Sequence, residues 1–127
     1  MSTMDPKKIK LLVMDDEEGV LDMIREHFSP RGYKVFTAQD GVDGIEICDR
    51  EKPDVILLDI KMKHMDGNDA LPRLKELAPA AKIFVVSAYQ DDVLARKIAG
   101  LGVHAHFEKP VSVIELEKAV RASILPA

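Results

Sequence analysis

Cysteine is nearly absent. Cys48 stands alone among 127 residues, so the chain can close no internal disulfide, and no Cys/His set with zinc spacing accompanies it. Cys48 is expected to fill core space on a helix. An excess of positive charge is missing as well: 22 acidic side chains face 18 basic ones, for a formal charge of -4. Such a balance gives no general field for holding a polyanion, so no direct nucleic-acid partner is expected. Long apolar runs are also lacking. The stretch MSTMDPKKIKLLVMDDEE offers only Leu11 to Met14 before acids intervene, which fits neither a signal peptide nor a membrane span. The protein is expected to be cytoplasmic, without a membrane contact. No low-complexity linker or internal repeat interrupts the chain.

What is present is 46% apolar content, enough for one globular domain with a single core. One domain over residues 1–127 is expected, with its core at about 8–125. The runs IKLLVM, KVFTA, DVILLD, KIFVVSA and HAHFE are short and partly β-branched, and several are apolar on both faces, as buried parallel strands require. Helical stripes lie between them: Val20, Leu21, Ile24 and Phe28 form one, and Val113, Leu116, Val120 and Ile124 another. Gly32, Gly41, Pro53, Gly67, Gly102 and Pro110 fall near the junctions. Pro72 interrupts NDALPRLKEL; a helix starting near Asn68 would place it close to the first turn, where a missing donor costs little. Alternating strands and helices predict an α/β, doubly wound, five-stranded parallel sheet with helices on both faces. In such sheets ligands sit beyond the carboxyl ends of the strands.

The strand ends carry Asp15 and Asp16, then Asp59, then Ser87, then Lys109 followed by Pro110. Each alone has an ordinary explanation. Asp15 and Asp16, with Glu17 and Glu18, can cap a helix and complement its dipole; Asp59 and Ser87 can close turns; Lys109 can be solvated. Five such accidents on one edge of one sheet make a poor joint account. Carboxylates forced together raise one another's pKa unless a cation compensates, and hard oxygen ligands suit Mg²⁺. With that charge neutralised, one carboxylate can attack phosphorus and hold the phosphoryl group as a mixed anhydride. Lys109 would pair with a phosphoryl oxygen and Ser87 would donate to another.

The blocks VMDDEE, LLDIKMKHMDG, VVSAYQ and HFEKPV, in this order and spacing, resemble the four motif blocks of the response-regulator receiver domain, and the resemblance covers essentially the whole chain. It implies the flavodoxin-like strand order 2-1-3-4-5. It also makes Asp59 the phosphoacceptor, with Asp16 and Asp59 as direct Mg²⁺ ligands, Asp15 holding metal-bound water and the backbone carbonyl of Lys61 completing the set. Ser87 and Lys109 become the switch hydroxyl and phosphate clamp, Ala88 the small residue that keeps the site open, and Lys109–Pro110 a cis peptide. Two positions depart from the family pattern. Lys63 stands where a proline is usual, and His106 occupies the place of the switch aromatic, while Phe107 should point to the opposite face, into the core. His106, Lys61 and Tyr89 resemble the stand-alone receivers of sporulation-type phosphorelays. Lys61 and Tyr89, each two positions past a phosphate-contacting residue, would flank the approach of hydrolytic water and lengthen the phosphoryl lifetime.

The implied function is a two-component signalling switch. A histidine kinase or histidine phosphotransfer protein passes a phosphoryl group to Asp59, and the domain changes its face toward a downstream protein. It is not an enzyme acting on a separate substrate, although it catalyses its own phosphotransfer and slow autodephosphorylation. The last predicted helix runs almost to Ala127, leaving no length for an output domain, so the chain reads as a stand-alone receiver or an excised fragment. Two rivals remain. A Mg²⁺-dependent phosphatase working through an aspartyl phosphate would resemble haloacid-dehalogenase-like enzymes, which place an Asp where this chain has Lys61. An interaction module of the same fold without chemistry would typically have lost the acceptor or the lysine. A dinucleotide-binding fold is disfavoured because no G-x-G-x-x-G follows the first strand.

Overall fold

The computed structural model describes residues 8–62, 67–87, 96, 100 and 102–124. Strands β1 (Ile9–Met14), β2 (Tyr33–Ala38), β3 (Val55–Asp59), β4 (Lys82–Ser87) and β5 (Ala105–Glu108) pair in parallel in the order β2-β1-β3-β4-β5. Helices α1 (Glu18–Phe28), α2 (Gly41–Glu51), α3 (Gly67–Leu77) and α4 (Val113–Ile124) accompany them. This is the doubly wound sheet the alternating pattern predicts, in the strand order the resemblance implies.

Strand alternation divides the core in two. Leu12, Met14, Ile56, Leu58, Ile83 and Val85 face one side, with Cys48 of α2 and Leu71 and Leu74 of α3. Leu11, Val13, Val55, Leu57 and Phe84 face the other, with Leu21, Ile24 and Phe28 of α1 and Leu116 and Val120 of α4. Every residue of β3 is buried, because neighbouring strands take both its edges and helix-packed layers both its faces. That is why VILLD reads as a continuous apolar run. Cys48 is buried, as expected of core filler.

Local chemistry sets the helix starts. Asp40 Oδ1 accepts from the Asp43 backbone N–H at 2.9 Å and caps α2. Ser112 Oγ accepts from the Glu115 N–H at 3.3 Å ahead of α4. Helix α2 lies very close to β1. A Cβ on Gly44 would stand 2.6 Å from Met14 Sδ and 2.9 Å from Met14 Cγ, so any larger residue here would force the buried Met14 side chain to shift. Helix α3 starts at Gly67, next to the expected start near Asn68, but Pro72 falls past the first turn. It lies inside α3, five positions after Gly67, where an ordinary residue would supply a helical N–H. Burial of Ala70, Leu71 and Leu74 around it holds the helix against that loss.

Among the described residues, no helix is long and apolar enough to cross a membrane.

Candidate functional site

The carboxyl ends of β1, β3, β4 and β5 bring Asp15, Asp59, Ser87 and Lys109 to one rim. Asp15 leaves β1 with its N–H on the Ala38 carbonyl, and its Oδ1 accepts from the Glu17 N–H at 2.9 Å, turning the chain into α1. That bond is an Asx-type turn ahead of α1, whose N-cap residue, Glu17, has no side-chain cap hydrogen bond. The other Asp15 oxygen, Oδ2, lies 3.2 Å from Lys109 Nζ. Asp59 ends β3 and places Oδ2 3.3 Å from the same ammonium, and Glu17 Oε1 stands 3.8 Å from it. Lys109 is positioned by its own backbone: its N–H donates to the Ser87 carbonyl at 2.7 Å, and the Lys109–Pro110 peptide is cis.

Electrostatics single out Asp59. It is 6% exposed, and burial, followed by the charge of Asp15, pushes its pKa up to about 7 despite Lys109. Repulsion between carboxylates is thus present but is the smaller cause. The wall behind Asp59 explains the order. A cavity of about 450 Å³ opens beside it, lined by Val13, Val20, Ile24, Leu57 and Val113 together with Asp15, Glu17 and Lys109, so Asp59 borders apolar surface. The Asp15 pKa is also raised, by burial first and against the Glu17 N–H and Lys109. Burial works against the charge on Lys109, but attraction to Asp59 and Asp15 outweighs it and lifts the ammonium pKa.

Carboxylate oxygens of Asp15, Asp16 and Glu17 lie within 4.8 Å of one another, and this acidic set could hold a metal ion. Glu17 is the member that sequence reasoning assigned only to the helix dipole. Its position two residues past Asp15, at a strand-to-helix turn, was the available signal. Ser87, 1% exposed, places Oγ 2.6 Å from His106 Nε2 on β5. Phe107 takes the other face, stacked on Phe84 at 6.1 Å. Lys61 is exposed just beyond β3. Ala88, Tyr89 and Lys63 lie outside the described residues.

Residues 11–121 match the family model described as the response regulator receiver domain. The chain belongs to this family. It is 33% identical over 112 residues to sporulation initiation phosphotransferase F of Bacillus subtilis (strain 168), covering 88% of this chain and 90% of that protein. Response regulator MprA of Mycobacterium leprae (strain TN) is 32% identical over 116 residues, 90% of this chain and 50% of that protein, so the chain spans about half the length of that relative. A crystal structure of a response regulator receiver domain protein from Clostridium thermocellum superposes with a TM-score of 0.85 at 28% identity, covering 91% of this chain and 94% of that one. As a receiver domain of two-component signalling, the chain is a switch and not an enzyme of the usual kind.

Proposed function

We propose that this receiver accepts a phosphoryl group on Asp59 from a phosphohistidine of a sensor histidine kinase or a histidine phosphotransfer protein, and that the acylphosphate alters the surface offered to a downstream protein. An Asp59 oxygen attacks phosphorus, the P–N bond breaks, and the imidazole leaves with its electron pair. The observation that carries this reading is the buried, under-compensated Asp59 carboxylate, whose Oδ2 lies 3.3 Å from the Lys109 ammonium. Lys109 is positioned to follow charge from the carboxylate to a phosphoryl oxygen, and Ser87 to donate to another.

The residues present fit Mg²⁺. Asp15, Glu17 and Asp59 lie within 4 Å of the Lys109 ammonium, and Asp16 groups with Asp15 and Glu17, so among the described contacts acids outnumber cations, and all the carboxylate donors are hard oxygens. Asp16 and Asp59 would bind the ion directly, with the Lys61 carbonyl, and Asp15 through water. When bound, the ion neutralises charge on the incoming phosphoryl oxygens.

Ser87 and His106 form the switch pair, Ala88 keeps the entrance open, and Lys61 and Tyr89 limit water access to the acylphosphate. The reading takes residues 1–127 as a single receiver domain with its core at about 8–125, working in the cytoplasm.

Incubation with Mg²⁺ and acetyl phosphate, followed by intact mass, tests the assignment. One added phosphoryl group in the wild type and none in Asp59→Asn are expected. Equal labelling of the variant would overturn it. Turnover of phosphate esters would favour the phosphatase, and inertness the interaction module.

A further inference from the structure

His106 stands where an aromatic switch residue is usual, and its Nε2 lies 2.6 Å from Ser87 Oγ. At that distance one of the two groups must donate, and Ser87 has a single hydroxyl proton. If Ser87 donates to Nε2, its proton is committed to the imidazole. If Nε2–H donates to Oγ, the hydroxyl proton is left for another acceptor. Neutral imidazole reaches the second arrangement only in its Nε2–H tautomer, whereas imidazolium always presents it. A phosphoryl oxygen is an acceptor only.

From this contact we infer that His106 is a positioning residue that sets the direction of the Ser87 hydroxyl, so that protonation of His106 and phosphorylation of Asp59 favour each other. The inference rests on the proposed acceptor role of Asp59 and deepens it.

Linkage fixes the sign. If the phosphorylated form prefers the donating ring, it binds a proton at His106 more tightly than the unphosphorylated form does. Reciprocally, lower pH stabilises the switched state. The protein therefore responds to phosphorylation most fully on the acid side of the range in which histidine titrates, and less as pH rises through it.

Among the described residues, the elements packed about His106 present the following groups. Strand β4 presents Val85, the register partner of His106, and Ser87. On its own segment the titratable neighbours are His104, which packs on the Phe84 ring, and Glu108, which by strand alternation shares its side. On α3, the Lys75 ammonium donates to the Gly102 carbonyl, ahead of β5. Lys109 at the strand end is engaged with Asp15 and Asp59.

The test is a ring-proton NMR titration of His106 between about pH 5 and 8, with Mg²⁺ alone and with Mg²⁺ plus beryllofluoride, a non-hydrolysing stand-in for the phosphoryl group. A rise of about half a unit in the His106 midpoint, roughly a threefold gain in proton affinity, is expected on beryllofluoride binding. In Ser87→Ala the rise should collapse. His106→Gln, whose amide can donate at any pH, should keep the shift changes on beryllofluoride binding but make them independent of pH.

An unchanged or lowered midpoint, with the Asp59 amide signal showing that beryllofluoride is bound, would overturn the coupling and leave the acceptor assignment standing. A rise that persists undiminished in Ser87→Ala would also overturn it, since the added negative charge alone would then account for the effect. Failure of beryllofluoride to bind would overturn both.

Discussion

Asp59 and Glu117 are both carboxylates inside the molecule, 6% and 8% exposed, and their company is opposite. Glu117 Oε2 accepts from the Tyr33 hydroxyl at 2.9 Å and from Arg121 Nε at 2.9 Å, with Arg121 Nη2 at 2.8 Å. One anion meets one guanidinium and one phenol, and the Arg121 guanidinium also lies over the Tyr33 ring. Burial, then the bond to Glu117, pushes the Tyr33 pKa up, so the phenol stays a donor. At the rim, one ammonium is shared by Asp15, Glu17 and Asp59. Burial of an acid therefore does not mark function. Burial without matching charge does, because the excess negative potential must be relieved by a proton, a cation or covalent change.

The largest expected contrast comes from neutralising each acid. Asp59→Asn should lose phosphoryl uptake completely while gaining stability. The Asp59 pKa is raised from 3.8 to about 7, so its contribution to stability is fully present below the lower value and is lost as pH rises through the higher one. At pH 8 the variant should exceed the wild type by about 2 to 4 kcal/mol, the gap closing as pH falls from 7 toward 4. Urea unfolding at several pH values measures this, and parallel curves for the two proteins would break the contrast.

Glu117→Ala should move the other way, losing about 2 kcal/mol because the buried Tyr33 hydroxyl loses its charged acceptor while the half-exposed Arg121 returns to water, and it should still take up phosphate. An unchanged urea midpoint would mean that the Tyr33–Glu117–Arg121 group fastens nothing. Next in size is the response to Mg²⁺. At ten times its dissociation constant the ion should stabilise the wild type by about 1.4 kcal/mol, and the gain should shrink in Asp16→Asn but not in Tyr33→Phe. Equal gains in all three would place the ion elsewhere. Smallest is Tyr33→Phe itself, which removes one hydrogen bond to a charged acceptor and should cost about 1 kcal/mol, read from the same urea curves.

The rim was legible in the sequence because its members are strand-end residues, and a parallel sheet aligns strand ends whatever their separation along the chain. Asp15, Asp59, Ser87 and Lys109 could be gathered by topology alone. The Glu117 group could not. Glu117 follows Leu116 within an amphipathic stripe and looks like the start of the solvent face. Tyr33 precedes KVFTA and looks like a strand entry. Their meeting depends on how α4 is laid across α1 and the start of β2, which no local pattern encodes. The leading cause of the raised Asp59 pKa was missed for a related reason. Repulsion follows from listing acids, but burial follows from the apolar cavity wall, visible only after packing. The start of α3 was legible to within a residue, but what lets it tolerate Pro72, the burial of Ala70, Leu71 and Leu74, was not.

The bond between Tyr33 and Glu117 spans 84 positions, and this separation bears on the order of assembly. During synthesis the Tyr33 hydroxyl leaves the ribosome long before its acceptor exists. Strands β1, β2 and β3 are neighbours in the sheet and close together in the chain, so they can associate early. The side of the sheet holding Leu11 and Tyr33 is covered by Leu21, Ile24 and Phe28 of α1, but the part that takes Leu116 and Val120 waits for α4. Contacts of such range slow folding and prolong the exposure of apolar surface. A chain lacking everything from Glu117 on would keep its sheet but leave part of one face without the cover of α4 and the Tyr33 hydroxyl without its acceptor.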